Sequence, residues 1–143
     1  MDREALIERV RKAVADILSG RGLLAAYAFG SRITGSARPD SDLDIGYYLA
    51  PEAGDAALPL GDEMALAAAL SEAVGLEVDL RDLRSAPLEL RGRVLEDGVR
   101  VFSGDPAARV ALERDTLARY HDYKAEFLTM HDRRLRALAE RGA

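Results

Sequence analysis

Two apolar runs of strand length, residues 23–29 and 43–49, are separated by a polar stretch that opens with Gly30-Ser31 and closes with Asp42. This arrangement constrains the fold more than any other feature. A short apolar run stopped by glycine, followed by another that starts at an aspartate, requires two strands joined by a compact connection. Within that connection residues 32–35 can make one helical turn, and residues 36–41, with Arg38-Pro39-Asp40, have loop chemistry. The first run reads as a buried strand despite its three alanines. In the second, side chains two positions apart share a face, so Asp42 and Asp44 project side by side while Leu43 and Ile45 turn into the core.

Composition decides how much this spacing means. The chain holds 14 Asp, and Asp-x-Asp occurs twice, at Asp40-Ser41-Asp42 and Asp42-Leu43-Asp44, about as chance allows. Adding Gly-Ser at a fixed distance lowers the expectation to roughly one in two hundred chains of this composition. The second Gly-Ser, Gly35-Ser36, lies too close to Asp42 for a helical turn and a return loop, and reads as part of the connection.

The rest of the chain supplies a single-domain frame of 143 residues. Leu6, Ile7, Val10, Val14, Ile17 and Leu18 form the apolar stripe of a first helix that stops at Gly20 and Gly22. Residues 51–61 read as a loop, and Asp62 as the cap of a helix running through Met64, Leu66, Leu70 and Val74 to Gly75. Residues 76–80 alternate apolar and acidic side chains as a third strand. Pro87 opens a helix ending near Gly98, residues 99–102 make a last short strand, and Asp105-Pro106 starts a long helix reaching Arg141. Core packing accounts for the first half of that helix. Its far half, with Arg133, Arg134 and Arg136, either meets a partner or stands in water.

Several functions are excluded or disfavoured. There is no cysteine, and both histidines lie late, at His121 and His131, so a metal here is held by oxygen. A net charge of −5 argues against a direct nucleic-acid partner. The charged start Met1-Asp2-Arg3-Glu4 precedes a helical pattern rather than a continuous apolar one, so no membrane association and a cytoplasmic location are expected.

The chemistry then follows from charge. Two neighbouring carboxylates repel, and pairing Asp42 with Asp44 is easier to explain around Mg2+ than without it, although a solvated polar strand start has the same pattern. Asp79, set between Val78 and Leu80, becomes a third ligand if its strand lies beside the second, and it could take the proton of an attacking hydroxyl; the alternative is a plain surface Asp. Asp82 falls on the opposite face of a continued strand. Gly30, Ser31 and the turn's N–H groups suit the β,γ-phosphates of a nucleotide, with Arg32 adding a charge-assisted contact; an ordinary tight turn capped by Ser31 is the simpler reading. Together the parts describe a two-metal in-line displacement at an α-phosphorus, with Asp42, Asp44 and Asp79 catalytic and metal-holding.

Gly30-Ser31-Arg32, Gly35, Ala37-Arg38 and Ser41-Asp42-Leu43-Asp44-Ile45, with Val78-Asp79-Leu80 downstream, resemble the minimal nucleotidyltransferases of the DNA polymerase β superfamily, and within them the MntA-type antitoxins. The resemblance implies an α/β (α+β) nucleotidyltransferase fold: a small mixed β-sheet flanked by helices, with a long C-terminal helix. Residues 1–104 would be the core and residues 105–143 a helical extension of the same domain. It also implies transfer of AMP from ATP, with Mg2+, to a tyrosine of a HEPN-domain toxin ribonuclease of the HepT type, and a hetero-oligomer with that toxin. A small-molecule acceptor, as in aminoglycoside nucleotidyltransferases, and a non-catalytic toxin-binding module are the competing readings. Arg114 with His121-Asp122-Tyr123 copies the partner's own motif, but reads as helix surface.

Overall fold

The computed structural model describes residues 2–142. Helix α1 (Arg3–Leu18) is capped by Asp2, whose carboxylate accepts the Ala5 N–H at 2.8 Å. Strand β1 (Leu23–Phe29) leads through Gly30 into the one-turn helix α2 (Ser31–Thr34), and β2 (Leu43–Leu49) returns beside it. Helix α3 (Leu60–Val74), strand β3 (Val78–Asp82), helix α4 (Leu88–Asp97) and strand β4 (Val99–Ser103) follow, and α5 (Pro106–Gly142) closes the chain.

The four strands lie in the order β3-β2-β1-β4, with β1 antiparallel to both neighbours and β2 parallel to β3. This is the expected mixed sheet flanked by helices. On one face α1 and α3 pack Val10, Val14, Leu70 and Val74 against Leu43, Ile45 and Leu80. On the other, α4 and the start of α5 cover Leu24, Ala25, Tyr27 and Tyr48. Tyr27 Oη donates to Glu113 Oε2 at 2.9 Å, giving its buried hydroxyl a partner and tying α5 to the sheet. Strand β1 therefore sits between two strands and two helical layers. Ala25, Ala26 and Ala28 are fully buried there, which explains alanines in a strand: small side chains let both layers close on it.

Several boundaries differ from the sequence reading, among them the end of β4, which reaches Ser103 rather than Phe102. Helix α3 begins at Leu60 with Pro59 as its cap, so Asp62 does not cap it; Asp62 lies in the first turn, near the positive end of the helix, and meets Arg21 at 3.5 Å. Strand β3 runs from Val78 to Asp82 rather than from Leu76 to Leu80, because pairing with β2 sets its limits: Leu43 lies beside Val78, and Tyr47 beside Asp82. The short helix after Gly30 starts at Ser31, one residue early, and stops at Gly35, whose φ of 90° only glycine adopts without strain. Among the described residues, no helix is long and apolar enough to cross a membrane.

Candidate active site

The site grows from the neighbouring ends of β1 and β2. Phe29 is the antiparallel partner of Asp44, so the turn that leaves β1 must pass directly over the Asp44 carboxylate. Only a residue without a side chain fits. A Cβ on Gly30 would stand 2.1 Å from Asp44 Oδ2, and the backbone there has φ 85°. The N–H groups of Ile33 and Thr34 both donate to the Gly30 carbonyl. Those of Ser31 and Arg32, in the first turn of α2, have no intrahelical acceptor and suit an anion.

The carboxylates come from two parallel strands. Asp44 and Asp79 are register partners across β2 and β3, which places them on one face as neighbours. Asp42 stands just before β2 and is exposed. Burial, then the charge of Asp79, pushes the Asp44 carboxyl up to about 6; Arg81 opposes the shift and Asp42 adds to it. Arg81, two residues along the same face, donates from Nε to Asp79 Oδ2 at 3.2 Å. Among the described residues no three His, Cys, Asp or Glu side chains converge into a closed metal-holding set. Asp44 and Asp79 are the close pair of the expected triad, and Asp42 stands beside them just before β2. Arg81 forms an ion pair with Asp79 in that group. An all-oxygen donor set in which neighbouring carboxylates raise the proton affinity of Asp44 suits a hard divalent cation such as Mg2+, which would take up the same excess charge.

Arg32 is tied to the loop that precedes β2. Its Nε donates to the carbonyl of Ser41 and its Nη2 to that of Pro39, both at 2.9 Å. A tight loop leaves carbonyls that need donors, and the guanidinium supplies two of them. Ser41 completes the clamp, its hydroxyl accepting the Arg38 N–H at 2.8 Å. Arg32 thus positions the loop that delivers Asp42.

A cleft of about 330 Å3 opens beside Asp44. One wall is Gly30, Ser31, Thr34 and Ser36; the other is the α4 face carrying Leu90, Arg93 and Asp97. Ser36, read as simple connection, belongs to the wall and lies 3.2 Å from the Thr34 hydroxyl. Arg93 and Asp97 were not singled out from the sequence at all. Their spacing from Leu90 puts them on one helix face, but which surface that face meets depends on how α4 docks. The Arg114 and His121-Asp122-Tyr123 set lies on exposed parts of α5, where His121 Nε2 is 3.4 Å from Glu96.

Comparison with known proteins bears on the family and the fold. A model of the polymerase β nucleotidyltransferase family matches residues 12–107. A toxin–antitoxin crystallised with AMP-PNP superposes with a TM-score of 0.66 at 26% identity, covering 90% of this chain and 98% of that one. A rebuilt structure of the tri-AMPylated Shewanella oneidensis HEPN toxin in complex with MNT antitoxin matches with a TM-score of 0.62 at 23% identity, over 94% of this chain and 99% of the other, a likeness of fold. A candidate minimal nucleotidyltransferase shares 33% identity over 69% of this chain and 95% of its own, with a TM-score of 0.55. No curated protein matches.

Proposed function

The chain belongs to the polymerase β nucleotidyltransferase family, and from that premise we propose that it is an MntA-type antitoxin that transfers AMP from ATP to a tyrosine of a HEPN-family toxin. The observation that carries the enzymatic part is the register of Asp44 beside Asp79, directly under the Gly30-Ser31 turn. The acceptor is drawn from the structural relatives: one is a toxin–antitoxin with AMP-PNP, and another holds an AMPylated HEPN toxin. The described part of α5 extends past the region that the family model matches, and we assign residues 1–104 to the nucleotidyltransferase core and 105–143 to a helical extension available to that partner.

In this reading Ser31 and the first N–H groups of α2 bind the phosphates, and Asp42, Asp44 and Asp79 hold Mg2+. Bound there, two such ions would neutralise the phosphates and polarise the reacting phosphorus. Asp79 takes the proton of the acceptor hydroxyl. The hydroxyl oxygen forms a bond to the α-phosphorus, the bond from that phosphorus to the α,β-bridging oxygen breaks, and pyrophosphate leaves with the electron pair. Arg32 fixes the loop that carries Asp42, so its removal loosens that carboxylate without removing a ligand.

The test is to incubate the protein with ATP labelled at the α-phosphate, Mg2+ and a purified HEPN toxin. Label is expected on a toxin tyrosine, and Asp42→Ala with Asp44→Ala is expected to lower transfer by about a thousandfold or more. Absence of label from the toxin would count against the acceptor. A double variant that neutralises the toxin as well as the parent would show that contact alone suffices.

A further inference from the structure

We infer that Arg93 is the cation that grips the β,γ-phosphates of the bound nucleoside triphosphate and stays with pyrophosphate as it leaves. The inference rests on the nucleotidyltransferase reading and adds a binding residue to it. It starts from a charge deficit. A triphosphate in the cleft brings roughly four negative charges at neutral pH to a wall that already carries Asp44 and Asp97. Two divalent ions at Asp42, Asp44 and Asp79 would offset about half of the charge that the triphosphate and the surrounding carboxylates bring together, and the remainder calls for a further cation in the cleft. Arg93 is the one cationic side chain among the described lining residues.

Two other arginines near the site are committed. Arg32 gives Nε and Nη2 to loop carbonyls, and Arg81 is paired with Asp79. Arg93 takes part in no ion pair among the described residues, even though Asp97 is one helical turn away. A guanidinium next to a carboxylate and unpaired with it can swing into the cleft and offer a planar fork to two phosphate oxygens.

Its placement is fixed by packing. Val94, the next residue, is 1% exposed and seats α4 on the sheet. The end of α4 is jammed against β1: a Cβ on Gly98 would stand 2.5 Å from the Val94 carbonyl and 2.9 Å from that of Ala28. Ala28 is two residues before Gly30, and Val99 is its partner in β4. The helix carrying Arg93 and the turn carrying Ser31 are therefore anchored to the same few residues of β1, and their separation across the cleft is built into the fold.

The experiment measures binding of a non-hydrolysable ATP analogue and of AMP, each with Mg2+, by calorimetry. It compares the parent protein with Arg93→Gln and Arg93→Lys, with thermal melts run alongside. Arg93→Gln is expected to weaken the triphosphate about tenfold to a hundredfold and AMP less than about twofold; Arg93→Lys should fall between parent and Gln, keeping charge but losing the fork. Equal triphosphate affinity for parent and Arg93→Gln overturns the inference while leaving the nucleotidyltransferase reading intact. So does an equal loss for AMP, since that marks a general disturbance of the site. If the parent binds neither nucleotide, both fall together. If Arg93→Gln lowers the melting temperature, the better-tolerated Arg93→Lys decides by the same two ligands.

Discussion

At the residue scale, the site depends on Gly30 and Asp44 sharing a volume that admits only one side chain. Gly30→Ala inserts a methyl 2.1 Å from Asp44 Oδ2 and forces alanine into φ 85°. Gly35→Ala meets a similar φ of 90° with open space around it. Both are expected to cost about 1 kcal/mol or more in chemical denaturation through backbone strain, but only Gly30→Ala should also abolish AMP transfer, because only it displaces the carboxylate. Asp44 itself sets a pH dependence. Its carboxyl is raised from 3.8 to about 6, so the folded protein holds that proton more tightly than the unfolded chain. The stabilisation is complete below about pH 4 and disappears as pH rises through about 6. With chelator present, melting temperature is expected to fall across that window for the parent and to stay flat for Asp44→Asn, which should melt higher than the parent at pH 7. The acidic residues and the Gly-Ser were legible in sequence because strand alternation and a fixed spacing are local signals. The roles of Arg32 and Arg93 were not, since each depends on carbonyls or helices brought from elsewhere in the chain.

Among the elements, β1 and β2 could be bounded from sequence because glycine, aspartate and proline mark their ends. Strand β3 could not: its start follows from the Leu43 N–H donating to the Glu77 carbonyl at 2.8 Å, a long-range bond with no local signature. Helix α4 was found but not oriented. What orients it is Gly92, which lies under the ring of Tyr120, so that an added Cβ would come within 2.1 Å of that ring. Gly92→Ala is expected to destabilise the protein by about 1–3 kcal/mol in urea unfolding, as α4 and α5 are forced apart. Because Arg93 is its neighbour, the same substitution should also weaken triphosphate binding. Tyr120→Leu in the Gly92→Ala background, by opening room under the helix, is expected to recover part of both losses.

Across the whole molecule, the core closes before the chain ends. Every residue from His121 to Gly142 is exposed, including Phe127, Leu128, Met130, Leu135 and Leu138. Deleting residues 129–143 is therefore expected to leave the melting temperature within about 2 °C of the parent, because none of the described residues in that segment is buried. If the extension serves a partner, the truncated protein should still bind nucleotide but form a weaker complex with the toxin. Its 37 residues make α5 about 55 Å long. A compact chain of this size has a radius of gyration of only about 14 Å. The helix consequently gives the molecule a long axis, about which rotational diffusion is faster than end over end. Amide N–H vectors of α5 lie nearly along that axis and report the slower tumbling, whereas those of the sheet sample other directions. Nitrogen-15 relaxation should therefore show higher transverse-to-longitudinal rate ratios along α5 than in β1 and β2 as long as the helix stays straight, and lower ones if it bends freely after Tyr120.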